Sequence, residues 1–441
     1  MVKKTIVKLA TLPFEAFDFK ALRRRKDSMG ELCVALLNRR GEASAMAIGR
    51  EIIDRFEQGD DGQRLEFFNF LLHEFGHQFD DIDRAIEMYL AHPGQTAARD
   101  LASSLKTTRR SFFQVLNATP GGTQAIIGMR AALGPLLKDE PELELVDKDI
   151  AILLENWFNR GFLELREICW NTPALILEKL IEYEAVHEIQ GWDDLRRRLA
   201  SDRRCFAFFH PAMPNEPLIF VEVALLPDMA SSIQSVLEQA APADLEEYKP
   251  STAIFYSISN CQDGLRGITF GNFLIKQVVE ELARQFPNLR QFATLSPIPG
   301  FARWLKQALS GTQLEWLPNA DRDTLAGLLQ REDWHNEPSA CQSLEPLLRK
   351  LTSYYFLHAK YKQTAKPYDP VARFHLGNGA RLERINFLGD TSAKGLKESH
   401  GLLVNYHYDA KSLASNHEAH ANNDEIKCSN DVLQPVKKIS A

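Results

Sequence analysis

The sequence predicts an α+β protein in which an all-helical bundle domain is followed by a mixed α/β domain. Two observations predict this order. Residues 1–185 carry apolar positions at helical spacing without strand-like alternation, whereas β-rich runs interleaved with helical segments fill residues 186–409. The last segment, residues 410–441, is polar and rich in Asn, Ser, His and Lys, so we expect a flexible tail there.

The composition is that of a globular protein and argues against several classes of function. Of the 441 residues, 44% are hydrophobic and 25% charged, and the formal net charge of -7 disfavours a general nucleic-acid binder. No run approaches the roughly 18 apolar residues of a membrane-spanning helix. Six scattered cysteines without a C-x-x-C pair fit a reducing compartment. The N-terminal segment lacks the features of a secretory signal, so we interpret it as mature protein and expect a cytoplasmic location.

In the first domain, helical periodicity is strongest in residues 64–75, 82–90, 97–116, 123–137 and 149–162. Proline and glycine interrupt the chain between these segments, as at Pro93-Gly94 and Pro120-Gly121-Gly122. A bundle of this kind is typical of a domain that supports, oligomerises or regulates.

The second domain alternates between strand-like and helix-like segments. The strand-like runs are residues 205–210, 217–226, 252–259, 291–295, 382–388 and 401–408. The helix-like runs are residues 270–285, 301–310, 319–331 and 342–357. Strands interleaved with helices predict a mixed sheet.

The string His73-Glu74-Phe75-Gly76-His77 matches the H-E-x-x-H pattern of zinc peptidases. On one helix, histidines four positions apart share a face and can hold zinc, with the glutamate as general base. Such a site also needs a third ligand and a sheet beside the cleft, and the predicted surroundings are entirely helical. We therefore expect no metal here, and none at His417 and His420 in the tail.

The segment 257–272 joins a buried strand to a helix through a loop that contains three glycines. Glycines let the backbone approach a ligand closely, and N–H groups at the start of a helix bind anions. Arg266 and Gly271 have the spacing R-x-x-x-x-G, which resembles the pyrophosphate loop of the GNAT acyl-CoA-binding fold, with Thr269 in place of its middle glycine. The loop predicts a CoA contact, and an ordinary strand-to-helix turn is the alternative.

Ser296 and His375 are candidates for catalysis. Ser296 follows a strand and precedes Pro297-Ile298-Pro299-Gly300, which would hold its hydroxyl at the carboxyl edge of a sheet, where open sheets bind ligands. His375 precedes Gly377-Asn378-Gly379, a turn that would present the imidazole, a natural proton donor near neutral pH, to a cleft. Taken singly, a turn-initiating serine and a satisfied core histidine are the alternatives.

Five strings of the chain together resemble the malonyl-CoA decarboxylase family. In order they are HPAMPNEPLIFVEVAL (210–225), FYSISNCQDGLRGITFGNFLIK (255–276), LSPIPGF (295–301), FHLGNGA (374–380) and LLVNYHY (402–408). The similarity runs from about residue 80 to residue 408 and is densest after residue 205.

The resemblance implies an N-terminal helical domain that mediates self-association, followed along the chain by a GNAT-like catalytic domain. It therefore implies a homo-oligomer, a dimer or tetramer formed through residues 1–185, with malonyl-CoA and acetyl-CoA as ligands and no nucleic-acid or membrane partner. It makes Ser296 and His375 catalytic. It places the CoA contact on Arg266, Gly267, Ile268, Thr269, Phe270, Gly271 and Asn272. Some relatives carry an acidic residue at the position of Thr269, so an acidic role there is not expected in this chain.

Loss of CO2 from a malonyl thioester produces an enolate, and the thioester carbonyl is itself the electron sink. The expected reaction therefore needs no metal, biotin or pyridoxal cofactor. Backbone N–H groups of the loop 266–272 would anchor CoA, and those of the strand 256–260 would stabilise the oxyanion. His375 would protonate the α-carbon, and Ser296 would bind the carboxylate or the enolate or orient His375. Tyr408 and Asn378 would support them.

Three other functions fit parts of the pattern. A GNAT-type acyltransferase would use the same CoA loop to move an acyl group to an amine. A zinc peptidase would use His73 and His77, and an acyl-CoA sensor would bind without turnover. Incubation with malonyl-CoA alone separates these functions, because only a decarboxylase releases CO2 without an acceptor.

Overall fold

The computed structural model describes residues 28–38, 41–268, 274–362, 364–437 and 439. The chain divides into two compact units. Unit 1 runs as far as Leu163 and includes the short segments 210–214 and 262–270. Unit 2 comprises residues 164–209, 215–261 and 271–441. A helical region followed by a mixed-sheet domain confirms the predicted α+β fold, but the first long segment ends at residue 163 rather than at 185.

Unit 1 is built from helices. They are α1 (Met29–Asn38), α2 (Glu42–Gln58), α3 (Asp61–Glu74), α4 (Phe79–Ala91), α5 (Gln95–Ser104), α6 (Thr108–Asn117), α7 (Gly122–Leu136) and α8 (Glu144–Trp157). The predicted helix 97–116 is two helices, separated before Thr108. Four fully buried phenylalanines of α3 and α6, Phe67, Phe68, Phe112 and Phe113, pack edge to face or tilted in its core. Such aromatic pairs add about 0.5–1.5 kcal/mol beyond the area that they bury.

A buried carboxylate joins the helices of unit 1. Asp149 on α8 accepts hydrogen bonds from Thr107 Oγ1 at 2.8 Å, Arg109 Nε at 2.9 Å and Arg110 Nε at 2.7 Å. Burial raises the pKa of Asp149, but the hydrogen bonds from Arg110, Thr107 and Arg109 outweigh burial and lower the pKa overall. This charge is fully paired and serves the packing of the unit.

Unit 2 is built on an eight-stranded mixed sheet in the described part of the chain. Its strands are β1 (Glu164–Ile168), β2 (Arg203–Phe209), β3 (Ile219–Leu226), β4 (Thr252–Asn260), β5 (Gln291–Thr294), β6 (Ser296–Pro297), β7 (Arg381–Asn386) and β8 (Leu403–His407). The strand order is β1-β2-β3-β4-β5-β8-β6, and β7 pairs with β8. The pairs from β1 to β4 are antiparallel, and β4 with β5 is parallel.

Helices cover the sheet of unit 2. They are α9 (Ala174–Tyr183), α10 (Trp192–Arg198), α11 (Ile233–Glu238), α12 (Leu245–Tyr248), α13 (Leu274–Gln285), α14 (Phe301–Ser310), α15 (Asn319–Leu329), α16 (Pro338–His358), α17 (Pro370–Gly377), α18 (Ala393–Ser399), α19 (Leu413–Asn423) and α20 (Asn430–Leu433). One apolar cluster joins α9 and α10 to β2 and β3, and a second joins α11 to β4 and β5. Across the ranges that the structure describes, no helix has the length and apolar character needed to cross a membrane.

Strand β1 and the C-terminal tail also differ from the sequence prediction. Strand β1 falls inside the stretch predicted as all helix, because its sequence Glu-Leu-Arg-Glu-Ile is mostly polar and becomes a strand only by pairing with β2 along Glu164–Ile168. The tail predicted as flexible instead forms α19 and α20, pairs Cys428 with Leu382 in a parallel bridge, and buries Val432. Both segments gain their order from partners distant in sequence.

Candidate active site

The centre of the sheet in unit 2 opens where β4 and β5 separate. The two strands pair in parallel from Thr252↔Gln291 to Phe255↔Thr294, and Leu295 N–H then donates to Phe255 O at 2.9 Å. The chain next leaves β4, because Ser296 and Pro297 pair with β8 instead. The second half of β4, residues 256–260, therefore extends past β5. Two central parallel strands of the sheet therefore separate beside Ser296.

Ser296 lies at the point of this divergence and is buried. Its Oγ donates to Thr294 Oγ1 at 2.8 Å and lies 3.2 Å from Nε2 of His375. Thr294 Oγ1 also accepts the N–H of Tyr406 at 3.1 Å, which orients the threonine hydroxyl. The serine hydroxyl thus stands between an acceptor within its own segment and an imidazole brought from residue 375.

His375 lies in the last turn of α17, directly before the glycine-containing segment, and only 3% of its surface is exposed. Its Nδ1 is 2.7 Å from the hydroxyl of Tyr408, and its ring stacks on Tyr406 with centroids 4.4 Å apart. Burial lowers the pKa of His375 to about 3, so the imidazole is neutral at physiological pH. Asn378 caps the end of α17, where its Nδ2 donates to Phe374 O at 2.8 Å.

These four side chains, Thr294, Ser296, His375 and Tyr408, form one hydrogen-bonded chain. If Tyr408 donates to Nδ1, the imidazole carries its proton on Nε2 and directs it towards Ser296, whose own proton points to Thr294. The hydrogen bond that one ring nitrogen of a histidine makes generally decides whether the other nitrogen carries the proton. The arrangement can therefore hold an acidic N–H in a fixed direction inside a site from which water is largely excluded.

The predicted CoA loop is described only in part. Arg266, Gly267 and Ile268 belong to unit 1, and Thr269, Phe270, Gly271 and Asn272 lie outside the described residues. The Arg266 side chain is exposed and paired with Asp263 at 2.9 Å, while Gly267 has φ of 82°, a conformation that favours glycine.

The structure adds an unexpected anchor for this loop in Arg130 of α7. Arg130 Nη1 donates to the carbonyl oxygens of Gly264 and Arg266, each at 2.9 Å, and its Nε pairs with Asp147 at 2.8 Å. The arginine lies more than 130 positions from the loop in the sequence. No local pattern points to this contact.

The H-E-x-x-H string does not form the geometry that its spacing suggests. Helix α3 ends at Glu74, and Phe75 is its C-cap, so His77 lies beyond the helix that carries His73. Both histidines are exposed. In the portions of the chain that the structure describes, no three His, Cys, Asp or Glu side chains are grouped to hold a metal ion.

The sequence interpretation missed two members of the site, Thr294 and Tyr406. In a strand, residues two positions apart face the same side. That rule applied to Ser296 would have pointed to Thr294, and applied to Tyr408 it would have pointed to Tyr406. Tyr406 lies on β8 and His375 on α17, so their stacking depends on how these two elements pack together. No local sequence pattern predicts this packing.

Family models match most of the chain. Residues 161–440 match the malonyl-CoA decarboxylase C-terminal domain, and residues 75–158 match the malonyl-CoA decarboxylase N-terminal domain. The first of these ranges contains Ser296, His375 and Tyr408.

Curated proteins and solved structures give the same result. The chain is 38% identical over 351 residues to a mitochondrial malonyl-CoA decarboxylase of Anser anser anser, covering 75% of this chain and 69% of that protein. It is 35% identical over 354 residues to the mitochondrial enzyme of Rattus norvegicus, covering 75% and 72%. The crystal structure of malonyl-CoA decarboxylase from Rhodopseudomonas palustris matches with a TM-score of 0.88 at 44% identity, over 95% of this chain and 100% of that one. The Agrobacterium vitis structure gives 0.86 at 46% identity, over 93% and 99%.

Proposed function

The chain belongs to the malonyl-CoA decarboxylase family, and from this membership we propose the route by which it converts malonyl-CoA into acetyl-CoA and CO2. The observation that carries the proposal is the buried chain Thr294–Ser296–His375–Tyr408 inside the matched C-terminal domain. It presents one neutral imidazole and one hydroxyl together at the point where β4 and β5 diverge.

The thioester supplies the electron sink of the reaction. The bond between the α-carbon and the carboxylate breaks, its electron pair forms the enolate with the thioester carbonyl, and CO2 leaves. One proton must then form the new C–H bond of acetyl-CoA. We propose that this sequence needs no metal or organic cofactor, because the substrate carbonyl already accepts the electron pair.

His375 is the proposed acid. Because burial keeps the imidazole neutral, the proton that it gives is the one on Nε2, and the hydrogen bond from Tyr408 to Nδ1 fixes that tautomer. A neutral imidazole that gives up its Nε2 proton becomes an imidazolate. The enolate carbon is a stronger base than an imidazolate, so a neutral imidazole suffices, as it does where neutral histidine acts as an electrophile. A proton from water restores the imidazole after turnover.

Ser296 is proposed to orient the acid and to contact the substrate. In the structure its hydroxyl proton points to Thr294, so its lone pairs are free to accept from His375 Nε2. Rotation about the Cβ–Oγ bond would redirect the proton from Thr294 to a substrate carboxylate or enolate oxygen 2.7–3.1 Å away, about the distance of an oxyanion hydrogen bond. This one motion connects the resting arrangement with the reacting one.

The second half of β4 is the proposed source of oxyanion donors. Since β5 departs after Thr294, the backbone of residues 256–260 lies along the opening of the sheet. One preorganised donor of this kind typically lowers the barrier by about 3 kcal/mol.

The loop 266–272 is proposed to contact CoA, and Gly267 allows a test. Gly267→Ala places a side chain at φ of 82°, so we expect the KM for malonyl-CoA to rise several-fold while kcat changes little. Gly191→Ala is a matched control, because Gly191 also has positive φ and open space around it. An unchanged KM in the Gly267 variant would remove the loop from the CoA site.

Malonyl-CoA supplied alone, with detection of CO2 and acetyl-CoA, tests the proposed reaction. We expect stoichiometric release of both products. The alternative, a GNAT-type acyltransferase, predicts no CO2, and it predicts free CoA and an acylated amine once an amine acceptor is added. Acceptor-dependent release of CoA without CO2 would replace the decarboxylase proposal with this alternative.

We also propose that the protein is a homo-oligomer, a dimer or tetramer, formed through its helical unit. Helices α4 and α5 pack on each other, neither contains a buried residue, and Phe79 and Leu90 are each 72% exposed. Exposed apolar side chains grouped on one helix pair favour an interaction site there. In sedimentation we expect a mass above the 50.0 kDa of one chain. Phe79→Asp with Leu90→Asp should reduce that mass to one chain, whereas the control Leu145→Asp, at an exposed leucine of α8, should not.

A cytoplasmic location is proposed on the state of the cysteines. All six side chains, including the exposed Cys169, are free thiols, which fits a reducing compartment. The curated relatives named above are mitochondrial proteins. Cell fractionation in the native host tests the proposal, and recovery of the protein in an organelle fraction would refute it.

A further inference from the structure

Ser296 and His375 reach the site on two different segments, and α16 lies between those segments. Ser296 begins β6, and the chain then passes through a short turn to Gly300, the N-cap of α14. His375 ends α17, whose N-cap is Asp369. The separation of 3.2 Å between Ser296 Oγ and His375 Nε2 therefore depends on how these two segments are held against each other.

Asp369 holds the helix that carries His375. Its Oδ1 accepts the N–H of Ala372 at 2.7 Å, which caps α17, and its Oδ2 accepts the hydroxyl of Tyr355 at 3.3 Å. Asp369 is 1% exposed and Tyr355 is fully buried. A buried carboxylate with two directed donors fixes the start of α17 relative to α16.

Tyr355 also holds the segment that carries Ser296. A Cβ added at Gly300 would lie 2.8 Å from the Tyr355 hydroxyl oxygen, closer than real Cβ contacts allow, so the hydroxyl rests directly on this glycine. The ring of Tyr355 also packs edge to face on Phe301, the first residue of α14, with centroids 5.6 Å apart. One phenol thus touches both segments of the catalytic pair.

We propose that Asp369 and Tyr355 are positioning residues for the decarboxylation, and that the bridge Gly300–Tyr355–Asp369 sets the distance between Ser296 and His375. The inference rests on the proposed function of those two residues. Neither Asp369 nor Tyr355 is hydrogen-bonded to Ser296 or His375. They act by positioning the segment that carries Ser296 and the helix α17 that carries His375. A displacement of about 1 Å at a catalytic group can cost roughly 10²-fold in rate.

The bridge has a pH dependence of its own. Burial raises the pKa of Asp369 to about 6, against the hydrogen bonds from Ala372 and Tyr355 that lower it. Besides each other, Asp369 and Tyr355 interact electrostatically with charged and titratable groups from four segments. These groups are Arg303 of α14, Arg373 of α17, Tyr406 of β8 and Tyr368, which precedes the cap of α17. As pH falls through about 6, the carboxylate gains a proton and ceases to be a pure acceptor.

We expect activity to fall in acid because protonation of Asp369 disturbs the bridge. This loss would not come from unfolding of the protein. The pKa of Asp369 is higher in the folded protein than its ordinary value of 3.8, so the folded state binds the proton more tightly. The contribution of this group to stability therefore grows as pH falls through about 6, while the geometry of the bridge is lost. His375 stays neutral across this range because its pKa is about 3, so it does not produce an inflection near pH 6.

The first experiment varies the carboxylate and measures CO2 release from malonyl-CoA between pH 5 and 8. We expect Asp369→Ala to lower kcat by about 10²-fold with the KM changed by less than about three-fold. Asp369→Asn keeps an acceptor for Ala372 but, like the protonated acid, turns a donor towards Tyr355. It should therefore show at pH 7.5 the lowered kcat that the wild type reaches below pH 6, and it should lose the acid inflection. Asp60→Ala is the control, since Asp60 caps α3 in unit 1 and should leave kcat unaltered.

The second experiment uses the close approach at Gly300. Gly300→Ala should lower kcat about ten-fold, because its Cβ pushes on the Tyr355 hydroxyl. In the Tyr355→Phe background the same alanine meets only atoms at 3.8 Å or beyond, so the double variant should equal Tyr355→Phe alone. Tyr354→Phe is the control, because that hydroxyl contacts Gln313 at 3.4 Å and is exposed.

The outcomes separate this inference from the function on which it rests. A wild-type protein that releases no CO2 from malonyl-CoA would overturn the proposed function. An active wild type with a normal kcat and an unchanged pH profile in both Asp369 variants would overturn the bridge. If Asp369→Ala does not fold, the variants Gly300→Ala, Tyr355→Phe and their double variant test the bridge. Losses of kcat that add in the double variant would overturn it.

Discussion

The two histidine-containing regions of this molecule, His73–His77 in unit 1 and His375 in unit 2, differ in burial and in partners. The first matches a known catalytic pattern, yet its helix ends between the two histidines and both side chains are exposed. The second has no pattern beyond a few flanking residues, yet its imidazole is buried and hydrogen-bonded at both nitrogens. The convergence of partners is therefore a better guide to a candidate catalytic residue than the match to a short string.

The buried charges of the two units make the same contrast. In unit 1, Asp149 accepts hydrogen bonds from two arginines and a threonine, and these outweigh the effect of burial and stabilise its charge. In unit 2, burial removes the charge of His375, and its two nitrogens are held by hydroxyl groups that can exchange protons. A paired charge fixes structure, whereas a neutral acid among hydroxyls can take part in chemistry.

The largest effect should come from His375→Ala. This change removes the proposed acid, and general acid catalysis is typically worth 10²–10⁴-fold, so we expect acetyl-CoA formation to fall by about 10³-fold or more. CoA binding should largely survive, because no CoA contact is assigned to this side chain. Product formation and CoA titration measure the two effects, with His420→Ala as a surface control. Full activity in the His375 variant would refute the assignment.

A smaller effect should come from Ser296→Ala. His375 then loses the partner of its Nε2, while Thr294 keeps its bond from Tyr406. We expect kcat to fall by about 10²-fold with a KM within a few-fold of the wild-type value. Steady-state kinetics with malonyl-CoA, beside Ser310→Ala at a helix surface, give the comparison. A change confined to KM would make Ser296 a binding residue only.

A modest effect should come from Tyr408→Phe. The ring remains, but the bond to His375 Nδ1 is lost, and a hydrogen bond of this kind is worth about 0.5–1.5 kcal/mol. We expect kcat to fall about ten-fold, since 1.4 kcal/mol is a factor of ten. Nitrogen chemical shifts of the imidazole should show a change in the tautomer population. An unchanged tautomer population with unchanged kcat would remove Tyr408 from the site.

The smallest effect should come from the double variant His73→Ala with His77→Ala. Since the two side chains do not share a helical face, we expect kcat and KM within about two-fold of wild type. Turnover in the presence of a zinc chelator should be unaffected. A stoichiometric zinc ion that is lost in the double variant, together with lost turnover, would reverse the comparison between the two regions.

Local patterns predicted those elements whose own residues favour one conformation. Helix α14 occupies the predicted residues 301–310, and β4, a run of β-branched and aromatic residues, occupies nearly the predicted range. Strand β1 was missed because its polar sequence has no intrinsic preference for a strand and is paired only through β2. The pattern Gly377-Asn378-Gly379 predicts a turn that begins at Gly377, whereas α17 continues through His375 to Gly377 and ends there.

The sequence by itself predicted the order of the two domains, the family, and Ser296 and His375 as candidate site residues, because these predictions depend on residue types and their spacing. Only the tertiary structure decided that the serine hydroxyl and the imidazole lie 3.2 Å apart, that Thr294, Tyr406 and Tyr408 complete their surroundings, and that the imidazole is neutral. Distances and pKa values depend on segments brought together from across the chain and on the water that their packing excludes. No local stretch of sequence contains either quantity.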